Sequence, residues 1–536
     1  MNRLGWAAAA AVLAACGGKP AAAPAAQFAW TKGAVCYEVF VRSFADSDGD
    51  GIGDLNGLTS RLDYVNDGDS TTTADLGATC LWLMPIAESP SYHGYDVTDY
   101  YRVEPDFGTA DDFKRLVAEA HRRGIKVVLD MVLNHTSDEH PAFQAAVADT
   151  ASPYRRWYRF APTPPDQGPW GRDAWWRSPV RDEYYYGPFW KGMPDLDYAN
   201  PAVREEAMKV ADYWLGEMGA DGLRLDALQY LVEEGDCRNN CPGTHQFFRE
   251  YAAHIADRSP GAFTVGEVWT AIDTMLTYYP DELSSYFIFP AADSMIAAVR
   301  RGELGGMLEP FLRLQDALPA YRYSTLLSNH DGTRVVTKLG GDRAAAPLAA
   351  TLLLTLPGLP WVYYGEEIGM TGDKPDERLR TPMQWSAEPG GGFTTGTPWE
   401  AFQDDSATVT VAAQTGDPAS LLSRYRRLIR LRGRSDALAA GRLVPIAGSS
   451  PGVAAYLRVA ETQIVLVVAN LGPAADPGLA VTIPPGVLSP GDYDATELVD
   501  GRAVAGVTIG TAEAAYRPLA GGLGPREAVV LELKRR

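Results

Sequence analysis

The chain has 536 residues, enough for two or three domains around a large core. Its 46% hydrophobic and 22% charged content is that of an ordinary globular protein. A formal charge of −20 repels nucleic acid and anionic lipid surfaces and suits a neutral substrate.

The first element is a targeting segment. Arg3 precedes an apolar run, residues 4–13, too short to span a bilayer as a mature helix. It ends in Leu13-Ala14-Ala15-Cys16-Gly17, which resembles the bacterial lipobox, cleaved before a cysteine that then carries lipid. Residues 1–15 are therefore expected to be a signal peptide, Cys16 the lipidated residue and residues 16–29 a flexible tether. The protein would be exported and held to the cell envelope by that lipid. Export permits disulfides. Cys237 and Cys241, flanking RNN in a polar loop, are expected to pair; a metal site with His245 is the weaker reading. Cys36 and Cys80 lie in apolar runs and are expected to be free core thiols.

The first strand-like run is AVCYEVFV (34–41). DSDGDGIGD (46–54) follows, with Asp46, Asp48, Asp50 and Asp54 spaced around three glycines. Carboxylates clustered on a glycine-rich turn want a hard cation, Ca²⁺ above all. The loop lacks the Glu of an EF-hand. Further runs are ATCLWLMP (78–85), IKVVLDMV (125–132), DGLRLD (221–226), AFTVGEV (262–268), SYFIFP (285–290), YSTLLSN (323–329) and LPWVYYGE (359–366). Amphipathic stretches such as 111–124 and 201–219 alternate with them, Gly124 and Gly219 reading as helix stops. Eight strands alternating with helices predict a closed (β/α)8 TIM barrel over 30–134 and 198–435 rather than an open doubly wound sheet. Residues 135–197, rich in Pro, Trp, Tyr and Arg and without a clean helix, are too long for a loop; they predict a small inserted domain after the third strand. From 436 to 536, alternating runs such as VAAYLRVA and TQIVLVVAN predict an all-β sandwich.

In such a barrel the chemistry lies at the C-terminal ends of the strands. Those ends carry Asp130, Asn134 and His135, then Arg224 and Asp226, then Glu267, and finally His330 and Asp331. Arg224 and Asp226 are two residues apart, so one face of an apolar strand holds both. By itself that is a structural ion pair or a carboxylate held ionised by its neighbour. Four carboxylates, two histidines and an arginine around one rim favour catalysis.

The motifs DMVLNH (130–135), GLRLDAL (222–228), VGEVW (265–269) and SNHD (328–331) resemble the four ordered motifs of the α-amylase family of glycoside hydrolases. SYHGYDVTDY (91–100), MPDLD (193–197) and RTPMQW (380–385) extend the resemblance. It implies Asp226 as nucleophile, Glu267 as general acid and Asp331 as the third carboxylate. It also implies His93, His135 and His330 as sugar-binding histidines, Tyr95 as a stacking platform, and a retaining reaction through a covalent glycosyl intermediate. The 46–54 loop is similar to the calcium loop of oligo-1,6-glucosidase-like members, where the Ile52 carbonyl would also bind. Gln229 and Tyr230 stand where many α-amylases have Lys-His, so a second calcium is not expected. Ala227 and MPDLD are similar to α-1,4-acting members intermediate between oligo-1,6-glucosidases and neopullulanases; residues 230–248 are similar to maltose-isomerising trehalose synthases. An α-glucan or maltooligosaccharide substrate, no nucleic acid partner and a monomer are implied. A non-catalytic glucan-binding lipoprotein is disfavoured by the full carboxylate set. A pair between Asp96 and Arg380, closing the pocket beyond one glucose, is weighed against local partners for each, Asp376 or Glu377 for Arg380.

Overall fold

The computed structural model describes residues 29–536; the signal peptide and Cys16 lie outside the described residues. Eight short parallel strands build the centre: β1 (Cys36–Val39), β2 (Cys80–Leu83), β3 (Lys126–Met131), β4 (Gly222–Leu225), β5 (Phe263–Gly266), β6 (Ser285–Tyr286), β7 (Ser324–Leu326) and β8 (Leu359–Tyr363). They are hydrogen-bonded in the order β6-β5-β4-β3-β2-β1-β8-β7. The ring closes between β6 and β7 through the parallel bridge Phe287–Ser324 and a 2.9 Å contact between the Ser285 and Ser324 hydroxyls. This is the expected barrel. Among its outer helices are α1 (Ala110–Arg122), which carries a capping box at Thr109 and Asp112. Gly124 ends that segment with φ +72° and Gly219 ends the 201–219 segment with φ +83°, both as the sequence predicts.

Alternation along the strands gives the lumen two layers. The floor is apolar and includes Cys36, Cys80, Val128, Phe263 and Leu359. Two residues further up the same faces turn polar: Glu38 follows Cys36, Asp130 follows Val128 and Arg224 follows Gly222, all buried. The floor also corrects the thiol reading. Cys36 and Cys80 are not free but form a disulfide, with Cα atoms 4.3 Å apart. The parallel register sets them directly beside one another on β1 and β2, and register is invisible in the separate strand patterns. Cys237 and Cys241 are bonded as expected, and His245 binds Glu282 at 3.0 Å.

The 135–197 segment does contain a helix, α2 (Pro141–Ala148), contrary to the sequence reading. Proline at its first position and the His140 ring, which accepts from the Ala142 N–H, start it. Its Ala-rich sequence lacks a polar stripe, so helical periodicity was faint. It packs Phe143 and Val147 on Tyr158 and on Tyr185 of a small three-stranded sheet, Tyr158 lying just before that sheet.

Two later helices, α3 (Ala346–Thr355) and α4 (Leu421–Arg434), pack on each other. Beyond them come β9 (Arg442–Gly448), β10 (Val453–Val459), β11 (Ile464–Asn470), β12 (Val481–Ile483), β13 (Gly491–Glu497), β14 (Val507–Ile509), β15 (Ala514–Tyr516) and β16 (Ala528–Arg535). The domain is all-β and antiparallel, with the strand order β14-β13-β16-β11-β10-β9-β12-β15, in which β9 passes from one sheet to the other. The end strands β14 and β15 touch, so the sheet folds back around its own core.

Candidate active site

Arg224 is the hub of the upper lumen. It is fully buried. Its Nη1 donates to both oxygens of Asp130, at 2.7 and 2.9 Å, and to Asp226 Oδ1 at 2.9 Å. Its Nη2 donates to Glu267 Oε2. The register explains the gathering: Asp130 on β3 lies beside Arg224 on β4, which lies beside Val265 on β5, two residues before Glu267. The Trp82 indole N–H also reaches Asp130, at 3.2 Å. One cation therefore serves three carboxyls, and the best-held is Asp130, not Asp226.

That imbalance sets the protonation states. Burial pushes Asp226 up to about 6; Arg224 pulls it down, and Asp130 and Asp331 push it further up. Burial pushes Glu267 up to about 7, against Arg224 and the Trp269 N–H and with the help of Asp226 and Asp331. At neutral pH Asp226 is mostly ionised while Glu267 holds a proton much of the time. Two neighbouring carboxyls with different set points are what a nucleophile and an acid require.

Asp331 behaves oppositely. Burial would raise it, but the His330 ring and Arg380 hold it well below the usual carboxylate range. His330 pays back that contact: despite burial, Asp331 and Glu38 raise it to about 10, so it is an imidazolium. Its Nδ1–H donates to Glu38 at 2.6 Å, and its Nε2 lies 3.2 Å from Asp331 and 2.6 Å from the Tyr95 hydroxyl. Tyr95 donates in turn to Asp130 at 2.9 Å and stacks on His330, with centroids 5.4 Å apart at 13°.

The other two histidines of the site shift the opposite way. Burial lowers His135 to about 4 and also lowers His93. His93 Nδ1 accepts the Tyr95 N–H at 3.1 Å, which places its proton on Nε2. His135 Nε2 donates to the Tyr95 carbonyl at 3.0 Å. Both line a cavity of about 510 Å³ together with Tyr95, Asp226, Glu267, Asp331 and Arg380. Arg224 and His330 lie beneath its floor.

Known proteins agree with this geometry. The pattern described as the α-amylase catalytic domain matches residues 38–441. The chain belongs to the α-amylase family of glycoside hydrolases. It is 39% identical to Alpha-amylase 3 of Dictyoglomus thermophilum, over 82% of this chain and 85% of that protein. It is 36% identical to the trehalose synthase/amylase TreS of Mycolicibacterium smegmatis, over 82% and 84% of the respective chains. The crystal structure of an α-amylase from H. orenii superposes with a TM-score of 0.80 at 37% identity, covering 94% of this chain and 99% of that one.

Several parts of this α-amylase-family site went unseen in the sequence. Glu38, buried on β1, holds the His330 ring; a lone carboxylate within CYEVFV was the available signal. Trp269, 52% exposed, donates to Glu267 Oε1 and stacks on Phe289 with ring centroids 3.5 Å apart. Trp170, Phe189 and Tyr230 form an edge-to-face trio on the cavity wall. Tyr230, noted only as a departure from a calcium motif, is thus part of an aromatic surface. Asn134 donates to Asp195 at 3.0 Å.

Asp96 takes local partners, while Arg380 takes Asp331, a partner outside both readings. Asp96 is buried and accepts from the hydroxyls of Ser89, at 2.7 Å, and Ser91. Arg380 donates to Asp331 at 2.8 Å and lies 3.7 Å from Asp376. The pocket-closing pair is replaced by an arginine that orients the third carboxylate.

The acidic loop gathers Asp46, Asp48 and Asp50, each with an oxygen within 4.8 Å of the others. Asp54 is not in this group. Its oxygens cap the following helix through Gly57 N at 2.8 Å and hold Ser47 N and Oγ. Gly51 is needed here: φ is +95°, and a Cβ would fall 1.9 Å from the Thr397 carbonyl oxygen. Three carboxylates on such a turn fit a hard, oxygen-seeking cation.

Proposed function

We propose that the protein hydrolyses α-1,4-glucosidic bonds in maltodextrins and starch-type glucans with retention of configuration. The observation that supports this best is the double grip of Arg224 on Asp226 and Glu267 through its two terminal nitrogens. The carboxyls are thereby one guanidinium apart, and retaining chemistry works at a separation of roughly 5 Å. In the first step an Asp226 carboxylate oxygen attacks the anomeric carbon, and the leaving oxygen takes the Glu267 proton. In the second, water loses a proton to Glu267 and displaces Asp226. Asp331, anchored by Arg380 and His330, grips sugar hydroxyls, while Tyr95, His93 and His135 hold the ring.

The likeness to TreS favours a second reading, isomerisation of maltose to trehalose, which uses the same carboxyls. Incubation with maltose and with soluble starch, followed by assay of glucose, maltose and trehalose, separates them. Hydrolysis gives glucose and shortened dextrins. Trehalose accumulating from maltose with little glucose would replace hydrolysis by isomerisation, and no turnover of either sugar would reject both.

The acidic loop is read as a Ca²⁺ site made by Asp46, Asp48 and Asp50 with the Ile52 carbonyl, Asp54 bracing it from behind. Its role is stability. Envelope attachment is assigned to a lipid on Cys16; among the described residues no helix is long and apolar enough to cross a membrane. Loss of radiolabelled lipid and release from membranes in Cys16→Ala would support this; unchanged fractionation would reject it.

A further inference from the structure

Two arginines lie at the end of the barrel opposite the carboxylates. Arg432 on α4 and Arg458 on β10 are 1% and 0% exposed. Arg432 Nη1 donates to the Leu354 and Leu356 carbonyls, each at 3.0 Å, and its Nη2 to that of Gly358. Arg458 Nη1 donates to the Thr355 carbonyl at 2.6 Å, while its Nε and Nη2 share that of Gly441 at 3.2 and 3.0 Å. These contacts cap the C-terminus of α3 and the turn into β8.

The charges do not balance. Among the described residues, the ionisable groups that act on Arg432 are Arg458, Tyr323 and Tyr456, and those that act on Arg458 are Tyr323 and Tyr456; none is a carboxylate. A helix C-terminus supplies about half a negative charge. Two guanidiniums thus leave roughly one and a half positive charges uncompensated in a dry interior, and buried charges are normally paired. Three buried polar atoms there also have no partner: Arg432 Nε and the hydroxyls of Tyr323 and Thr325. Gly358, whose carbonyl holds Arg432, faces both of those residues: a Cβ on it would lie 3.2 Å from the Tyr323 ring and 2.6 Å from the Thr325 methyl. The Tyr456 hydroxyl is already used by Thr355, at 2.6 Å.

We propose that a small monovalent anion of the halide class binds at the base of the barrel between Arg432, Arg458 and Tyr323. Arg432 Nε and the Tyr323 hydroxyl supply the donors that no carbonyl takes. One negative charge cancels most of the excess; a multivalent oxyanion would overshoot it. The same surroundings weaken both cations: burial and then the neighbouring Arg458 lower Arg432 to about 9, and burial lowers Arg458 to about 10. The anion would join the β-domain, through β10, to the helix and strand that complete the barrel. The site is independent of the catalytic reading.

The test uses the whole protein in chloride, bromide or gluconate at equal ionic strength, after exhaustive dialysis into gluconate. The expected result is a Tm that rises and saturates with chloride and with bromide but not with gluconate. Crystals grown in bromide should show an anomalous peak in contact with Arg432 Nε. Tyr323→Phe, which removes one donor without changing shape, should shift the halide midpoint to higher concentration; Arg458→Met, if it folds, should abolish the response. A Tm indifferent to the anion together with no bromide peak would overturn the proposal, as would a halide response unchanged in Tyr323→Phe with no peak at the site.

Discussion

The two ends of the barrel handle buried arginine in opposite ways. At the top, one guanidinium, Arg224, contacts Asp130, Asp226 and Glu267. At the base, Arg432 and Arg458 contact carbonyls alone. An excess of carboxyls over cations leaves some carboxyls short of stabilisation, and their proton affinity rises into the working range. An excess of cations has no such outlet, because an arginine does not readily give up its proton. The top is therefore a place for proton transfer, and the base is a place for cohesion.

The sharpest way to break the contrast is at the nucleophile. Asp226→Asn should cost several powers of ten in kcat on maltodextrin, because an amide cannot form the glycosyl bond. It should not cost stability. The Asp226 pKa is raised in the fold, so above its ordinary value the ionised form counts against folding, and at pH 7 an amide avoids that cost. A normal kcat in contaminant-free variant, or a large fall in Tm, would contradict the assignment.

Removing one arginine from each end comes next. Arg224→Met leaves three carboxyls without their cation, and breaking a buried pair from one side costs about 3–5 kcal/mol. Denaturant unfolding should show a loss of that order, with activity gone. Arg432→Met orphans carbonyls but also relieves a like-charge contact, so its loss should be smaller and kcat should survive. Equal losses from the two variants would erase the difference between the ends.

A smaller effect is read from pH. The proposed reaction needs Asp226 ionised and Glu267 protonated, so kcat/KM should peak between about 6 and about 7 and fall as pH rises further. The two limits belong to the coupled pair rather than to either residue alone. In Glu267→Gln the alkaline limb should vanish, and substrates with very good leaving groups should lose least. The smallest effect lies outside both ends: chelator should lower Tm through the Asp46–Asp48–Asp50 loop while short assays at low temperature keep their kcat. An unchanged Tm, with no calcium in protein purified in its presence, would remove the metal.

The sequence carried the site where chemistry followed from position along one strand. Arg224 and Asp226 announced themselves because period two puts a charged pair on an apolar face, and Glu267 and Asp331 stood at strand ends. What depended on the neighbouring strand stayed hidden. The Cys36–Cys80 bond, the larger hold of Asp130 on Arg224, and Glu38 behind His330 all follow from register and from barrel closure. The aromatic trio of Trp170, Phe189 and Tyr230 joins the inserted domain to the loop after β4, a contact that separate segments do not reveal.

The peptide on either side of Tyr95 grips two imidazoles, His93 by its N–H and His135 by its carbonyl. Burial lowers both rings, His135 to about 4, while Asp331 and Glu38 raise His330 to about 10. The cavity wall beside Asp226 and Glu267 thus keeps a neutral imidazole, His135, across the interval in which the two carboxyls titrate. In the proposed reaction the His135 contact and the carboxyl chemistry are therefore decoupled in acidity: a change of pH that halves the rate leaves that contact as it was.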